Sequence, residues 1–247
     1  MRKISILFLT LLAVATVAWA ADPWKQKSYK DWNENDVRQI MTDSPWAKKV
    51  TIAFDVTPKM GPRASPSSGG GRGAPSGGGG RDPGSPTGTE GDAPAFGGGT
   101  LSFTVQWASA MTLRRAAVRL AILRGAVSEA DGEKSLAVPA DYYGVAVFGG
   151  NLAAFEKLDE AALERVAYLR PRKGKEKLAP RAVEIQRGED GKMIVGILFH
   201  FAKKLANGEG VVASDEKEVE FVCVAGGVSI RTTFEPQRMV TQEGADL

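Results

Sequence analysis

The chain is poor in the residues on which much extracellular and enzymatic chemistry depends. Among its 247 residues there is one cysteine, Cys223, and one histidine, His200. A single cysteine excludes a disulfide within the chain, so stability must come from a hydrophobic core. A single histidine forces any zinc site or catalytic triad through His200, and no H-E-x-x-H, H-x-H or Cys-His spacing accompanies it. Charge of one sign is not in excess either. With 32 Lys and Arg against 29 Asp and Glu, the formal net charge of +3 implies no nucleic-acid or other global electrostatic partner. Beyond the first twenty residues, no apolar run approaches the roughly 20 residues that a membrane-crossing helix needs.

The opening residues MRKISILFLTLLAVATVAWA have the form of a secretory signal: basic Arg2 and Lys3, an apolar run from Ile4 to Val17, then Ala18-Trp19-Ala20 as an A-x-A processing site. Cleavage is expected between Ala20 and Ala21, leaving an exported protein, periplasmic or extracellular, without a membrane span in the mature chain. The low-complexity stretch 57–99, which includes SSGGGRGAP and SGGGGRDPGSP, has too few apolar side chains to offset its ordering entropy and is expected to be disordered. It is not expected to be a phosphate-binding loop, because no G-x-x-x-x-G-K-[ST] pattern occurs in it and prolines such as Pro75 and Pro83 break up its glycine runs.

The remaining pattern is α+β. Asn33 with Asp36 three residues on reads as a capping box for a helix carrying Val37, Ile40 and Met41, which Pro45 ends. Val50 to Val56 and Leu101 to Trp107 both alternate as half-buried strands. A lone strand of this kind cannot bury its apolar face, so the two are expected to pair, with 57–99 an insertion between neighbours in a single domain spanning 21–247. A second helix is expected through Leu113, Ala116, Ala117, Leu120 and Leu123, ending at Gly125, and a central strand over Tyr142–Phe148. A third helix, capped by Asn151, is expected through Leu152, Phe155, Leu158, Leu163, Val166 and Leu169. The rest reads as strands: Ala182–Gln186, a turn at 188–191, Met193–Phe201, Val219–Val224, a Gly226-Gly227 turn and Val228–Phe234. The expectation is therefore one α+β domain with a mixed or antiparallel sheet, about three helices and a C-terminal antiparallel meander.

Four groups of side chains carry candidate chemistry. The run YLRPRKGKEK gathers Arg170, Arg172, Lys173, Lys175 and Lys177 as a surface for an anionic envelope component or another protein. Arg114, Arg115, Arg119 and Arg124 form a weaker basic set on the second helix. Asp141, Tyr142, Glu218 and Glu220 are the carboxylate and phenol set to examine for acid and base work. Phe199, Phe221 and Phe234 are positioned to line a site for a small apolar ligand. Cys223, between Val222 and Val224, reads as a buried inert thiol. Ser229 lies in a hairpin without the second glycine of a G-x-S-x-G elbow. Trp32 and Trp46 bracket the first helix, either as a clip that pins it or as a sugar-binding pair; the sparse polar neighbours favour the clip.

The signal segment, the pattern W-x-x-x-D-V-x-x-I-x-x-D-S-P-W-A-K at Trp32 to Lys48, the Gly-rich insertion, Trp-Ala-Ser-Ala at the second helix and F-E-P-Q-R-M-V at Phe234 to Val240 together resemble a group of uncharacterised exported bacterial proteins of unknown function. The resemblance spans most of the mature chain and implies a single unit with an insertion of variable character. It carries no activity, cofactor or catalytic residue across. The functional expectation is a non-catalytic envelope or extracellular interaction module without cofactor or metal. The alternatives are a carboxylate-based hydrolase or transferase, or a protein that binds a small apolar ligand.

Overall fold

The computed structural model describes residues 22–54, 99–149, 152–174, 176–189, 191–205, 207–225 and 227–247. The signal segment with Ala20 and Ala21, most of the Gly-rich tract, Asn151, Lys175 and Gly226 lie outside the described residues.

A short helix α1 (Pro23–Gln26) and a 3-10 turn at Tyr29–Asp31 lead to α2 (Glu34–Thr42). The Asn33 side chain accepts the N–H groups of Asn35 and Asp36, and the Asp36 carboxylate accepts that of Asn33, so the expected capping box is complete. Past the helix end, the Ser44 hydroxyl donates back to the Ile40 carbonyl at 2.7 Å, and Pro45 turns the chain into β1 (Ala47–Phe54). This strand pairs antiparallel with β2 (Gly99–Gln106), from Ala47 opposite Gln106 to Phe54 opposite Gly99. The two strands that flank the Gly-rich tract are thus neighbours in one sheet.

Five strands form that sheet in the order β1, β2, β3 (Tyr142–Gly149), β6 (Ile194–Ala202) and β5 (Ala182–Arg187), every pairing antiparallel. The apolar Tyr142–Phe148 run is its middle strand, as its composition predicts. A second sheet orders β4 (Ala167–Pro171), β7 (Val219–Ala225) and β8 (Val228–Phe234), and a ribbon of β9 (Val240–Thr241) and β10 (Gly244–Ala245) follows. The late strands are antiparallel as expected, and they are divided between the two sheets.

Aromatic contacts join the sheets. Phe199 and Phe201 of β6 meet Phe221 of β7 with ring centroids 5.4 and 6.4 Å apart, and Phe234 of β8 meets Trp107 at 5.2 Å. On the other face of the large sheet lies a helical layer made of α2, α3 (Met111–Leu123) and α4 (Glu129–Ala137). Gln106 donates from β2 to the Met41 carbonyl at 2.6 Å, and the Ser109 N–H reaches the Gly144 carbonyl of β3.

Three local expectations change. The predicted helix over Leu152–Leu169 is a 3-10 turn (Leu152–Phe155), a new helix α5 (Glu160–Val166) capped by Asp159, and strand β4, which contains Leu169. Helix α4 has no counterpart in the predicted pattern. It packs on α3 through Gly132, where an added Cβ would stand 2.6 Å from Val118 Cγ1. Because α4 covers the Val118 and Ile122 side of α3, the buried stripe is turned from the predicted one: Leu113 and Ala116 are buried, while Ala117 and Leu123 are exposed.

Candidate functional site

The basic run and the acidic strand, separate candidates in the sequence, meet on the small sheet. Register places Arg170 of β4 opposite Glu220 of β7, and Glu220 opposite Thr233 of β8. The Glu220 carboxylate binds Arg170 through one oxygen and Arg231 through the other, the latter at 2.7 Å. Arg172 pairs with Glu218 at 3.1 Å, and Lys173 with Asp215. Glu216 is buried and accepts the N–H groups of Lys173 and Lys217, which fastens the 215–218 turn against the end of β4. Lys177 stands over the Tyr168 ring at 4.5 Å, and Lys175 lies outside the described residues. A hollow of about 370 Å³ is lined by Arg170, Arg172, Glu218 and Glu220. Opposite charges along its walls neutralise one another, so it presents neither a cationic patch nor a free acid and base pair.

Of the acid and base set, Glu218 and Glu220 share the charged hollow and Tyr142 stands apart from them. Tyr142 lines a different hollow, beside Ser109 and Arg114, on the outer face of the large sheet. Its ring lies against that of His200, centroids 4.1 Å apart, and His200 Nε2 stands 2.8 Å from Glu184 Oε1 without the alignment of a hydrogen bond. Among the described residues, Ser109 Oγ is buried without a hydrogen-bond partner, and no hydrogen bond joins it to His200. Also among the described residues, no group of three or more His, Cys, Asp and Glu stands in a metal-holding arrangement. Cys223 is buried on the inner face of β7, and burial pushes its thiol pKa up to about 12.

Phe199, Phe221 and Phe234 are fully buried and each is in ring contact with a neighbour, Phe199 with Phe221 and Phe234 with Trp107, as core residues are. The tryptophans are a clip. Trp46 is wholly buried, meets Trp24 edge-on at 5.7 Å and donates its indole N–H to the Asp246 carbonyl at 2.7 Å. Trp32 is buried and donates to the Pro23 carbonyl.

A concave apolar surface appears elsewhere, between α2 and α3 over the large sheet. This groove of about 310 Å³ has Val37 and Met41 of α2, Leu120 of α3 and Phe148 of β3 as its apolar lining. Thr104 and Gln106 of β2 form its polar floor, and Glu34, Arg38 and Arg124 stand at its rim. Gly196 matters to its shape: an added Cβ there would fall 2.7 Å from Phe148 Cε1, so only glycine lets the Phe148 ring lie across β6. Neither Arg38 nor Arg124 has an ion-pair partner among the described residues. The groove is invisible in the sequence because Val37, Met41 and Leu120 recur at helical spacing, the same pattern that marks a core face. Arg124 belongs to the basic set already noted on the second helix, whereas Arg38 carried no signal.

Among the described residues, no helix is long and apolar enough to cross a membrane. The chain matches no protein-family model, no curated protein and no solved structure.

Proposed function

We propose that the protein is an exported, non-catalytic binding module of the cell envelope or extracellular space, and that the groove between α2 and α3 is its binding site. The observation that carries this reading is the groove itself. Its walls are apolar, its volume is at the small end of the range of about 300–1,000 Å³ typical of ligand sites, and its rim holds two arginines without an ion-pair partner among the described residues. The charged hollow on the small sheet is the weaker candidate, because its arginines and glutamates are already paired. The sequence supports export through its signal segment and Ala20–Ala21 processing site.

Two measurements test the proposal. Intact mass of the protein recovered from the cell envelope or medium is expected to place its first residue at Ala21; a chain that stays in the cytoplasm with Met1 in place would refute export. For the site, titration with 1-octanol is expected to shift the methyl resonances of Val37, Met41 and Leu120. Substituting Thr104→Phe, which fills the floor, is expected to abolish those shifts. Shifts distributed over the whole core, or unchanged by Thr104→Phe, would count against the groove.

A further inference from the structure

The rim of the groove gives its occupant a chemical class. Resting on the reading of the groove as the binding site, we propose that it takes an amphipathic acid, a carboxylate carried on a short hydrocarbon body. The body lies along Val37, Met41, Leu120 and Phe148, and the acid group reaches Arg38 on the α2 wall and Arg124 at the end of α3. These guanidiniums differ from others in the molecule. Arg115, Arg170, Arg172, Arg231 and Arg238 each hold a carboxylate, whereas Arg38 and Arg124 hold none among the described residues. Glu34 is the one acid in the lining, so two cations face one anion at the rim of a groove with apolar walls. A guanidinium engages a carboxylate with two parallel N–H donors, a geometry that neither an alcohol nor an ammonium reproduces. Arg124 also follows the last turn of α3, where a cation complements the helix dipole, so its role in stability must be measured beside its role in binding.

Three probes with the same body and different heads decide the matter: octanoate, 1-octanol and octyltrimethylammonium, each below its micelle concentration, followed through the methyl resonances of Met41 and Leu120. Octanoate is expected to bind about tenfold more tightly than octanol, and the ammonium most weakly, a difference of the size expected for rim-exposed ion pairs. In the double variant Arg38→Gln, Arg124→Gln, octanoate is expected to fall to the affinity of octanol while octanol is unaffected and the melting temperature stays within a few degrees. Equal affinity for octanoate and octanol in the unsubstituted protein overturns the acid class and leaves the groove standing as an apolar site. A preference for octanoate that survives the double variant overturns the role of the arginines, and with it the inference. Failure of all three probes to bind overturns the reading of the groove itself.

Discussion

Glu220 holds two arginines from two different strands with one carboxylate, and that sharing decides what the small sheet can do. Its side chain is 16 % exposed while Arg170 and Arg231 are 41 % and 57 % exposed, so each pair is screened and contributes modestly, on the order of 0.2–1 kcal/mol. Glu220→Gln is therefore expected to lower stability by no more than about 1–2 kcal/mol in urea denaturation. It would also free Arg170, which lines the hollow beside Arg172, and Arg231 of their shared carboxylate, so the variant is expected to gain inorganic phosphate binding that the parent lacks. Phosphate binding by the parent at the same strength would mean that the pairs do not neutralise the site. At Cys223 the effect of burial is opposite in kind. The thiol is expected to resist a disulfide-forming reagent in the folded protein and to react only on unfolding, so its labelling rate should follow the opening rate. Because the folded pKa is raised to about 12 from an ordinary 9.0, the unfolded thiol ionises first, and stability falls as pH rises between those values. Burial of Tyr143 raises its pKa and adds to that alkaline loss; Lys48, whose pKa is lowered by burial and by Arg238, acts against it. Cys223→Ser should flatten the alkaline limb. At this scale the sequence was legible for burial and illegible for pairing: alternation placed Cys223 inside, but nothing in YLRPRKGKEK shows that Arg170 and Arg172 pair with Glu220 and Glu218.

At the scale of elements, the same contrast separates α2 from α3. The capping box of α2 is closed within three residues by Asn33 and Asp36, so it can be read directly. Burial opposes ionisation of Asp36, yet the Lys27 ammonium and the Asn33 N–H outweigh it and hold the carboxyl below the usual carboxylate range. The stability this provides is present at neutral pH and is lost as pH falls through the lowered folded pKa, and Asp36→Asn should weaken that acid limb. Helix α3 has no cap in its own segment, since Ala110 offers no side-chain acceptor. Its cap comes from the far end of the chain: the Asp246 carboxylate accepts the N–H of Met111 at 2.5 Å and of Thr112 at 2.8 Å, and the Asp246 carbonyl accepts the Trp46 indole. Asp246→Ala is expected to cost about 1–2 kcal/mol by the usual worth of a helix cap, seen as a lower urea midpoint with unchanged slope. A loss below a few tenths would show that water replaces the carboxylate. The misread stretch 152–169 has a related cause. Its apolar residues fall three apart on either side of a five-residue step from Leu158 to Leu163, but Asp159 starts a new helix and the AYLRP segment alternates, and pairing with β7 resolves that ambiguity only in three dimensions.

At the scale of the whole molecule, the pairing of β1 with β2 makes the tract between Phe54 and Gly99 an excursion from one hairpin, because both its ends belong to the same sheet. That relation was readable before any coordinates, since two half-buried strands on either side of a tract without apolar content each need the other's edge. The division of the later strands into two sheets was not readable, because the side-chain period of a strand is the same whichever sheet it joins. The pairing leads to a prediction about the whole chain. If the tract is disordered, as its composition predicts, closing it costs entropy that grows with the logarithm of its length. Replacing residues 57–97 by a short Asn-Gly turn shortens that loop roughly tenfold and should raise stability by about 2 kcal/mol. The fold depends on register between Ala47 and Gln106 and between the residues that follow, none of which is touched, so the spectrum of the core aromatic residues should be preserved. The groove between α2 and α3 is lined entirely by residues outside the deleted segment, so affinity for an alkyl probe should be unchanged as well. A deletion variant that folds and gains stability but loses that affinity would show that the excursion takes part in binding. One that loses its cooperative unfolding transition would show that the hairpin depends on the tract for more than connection.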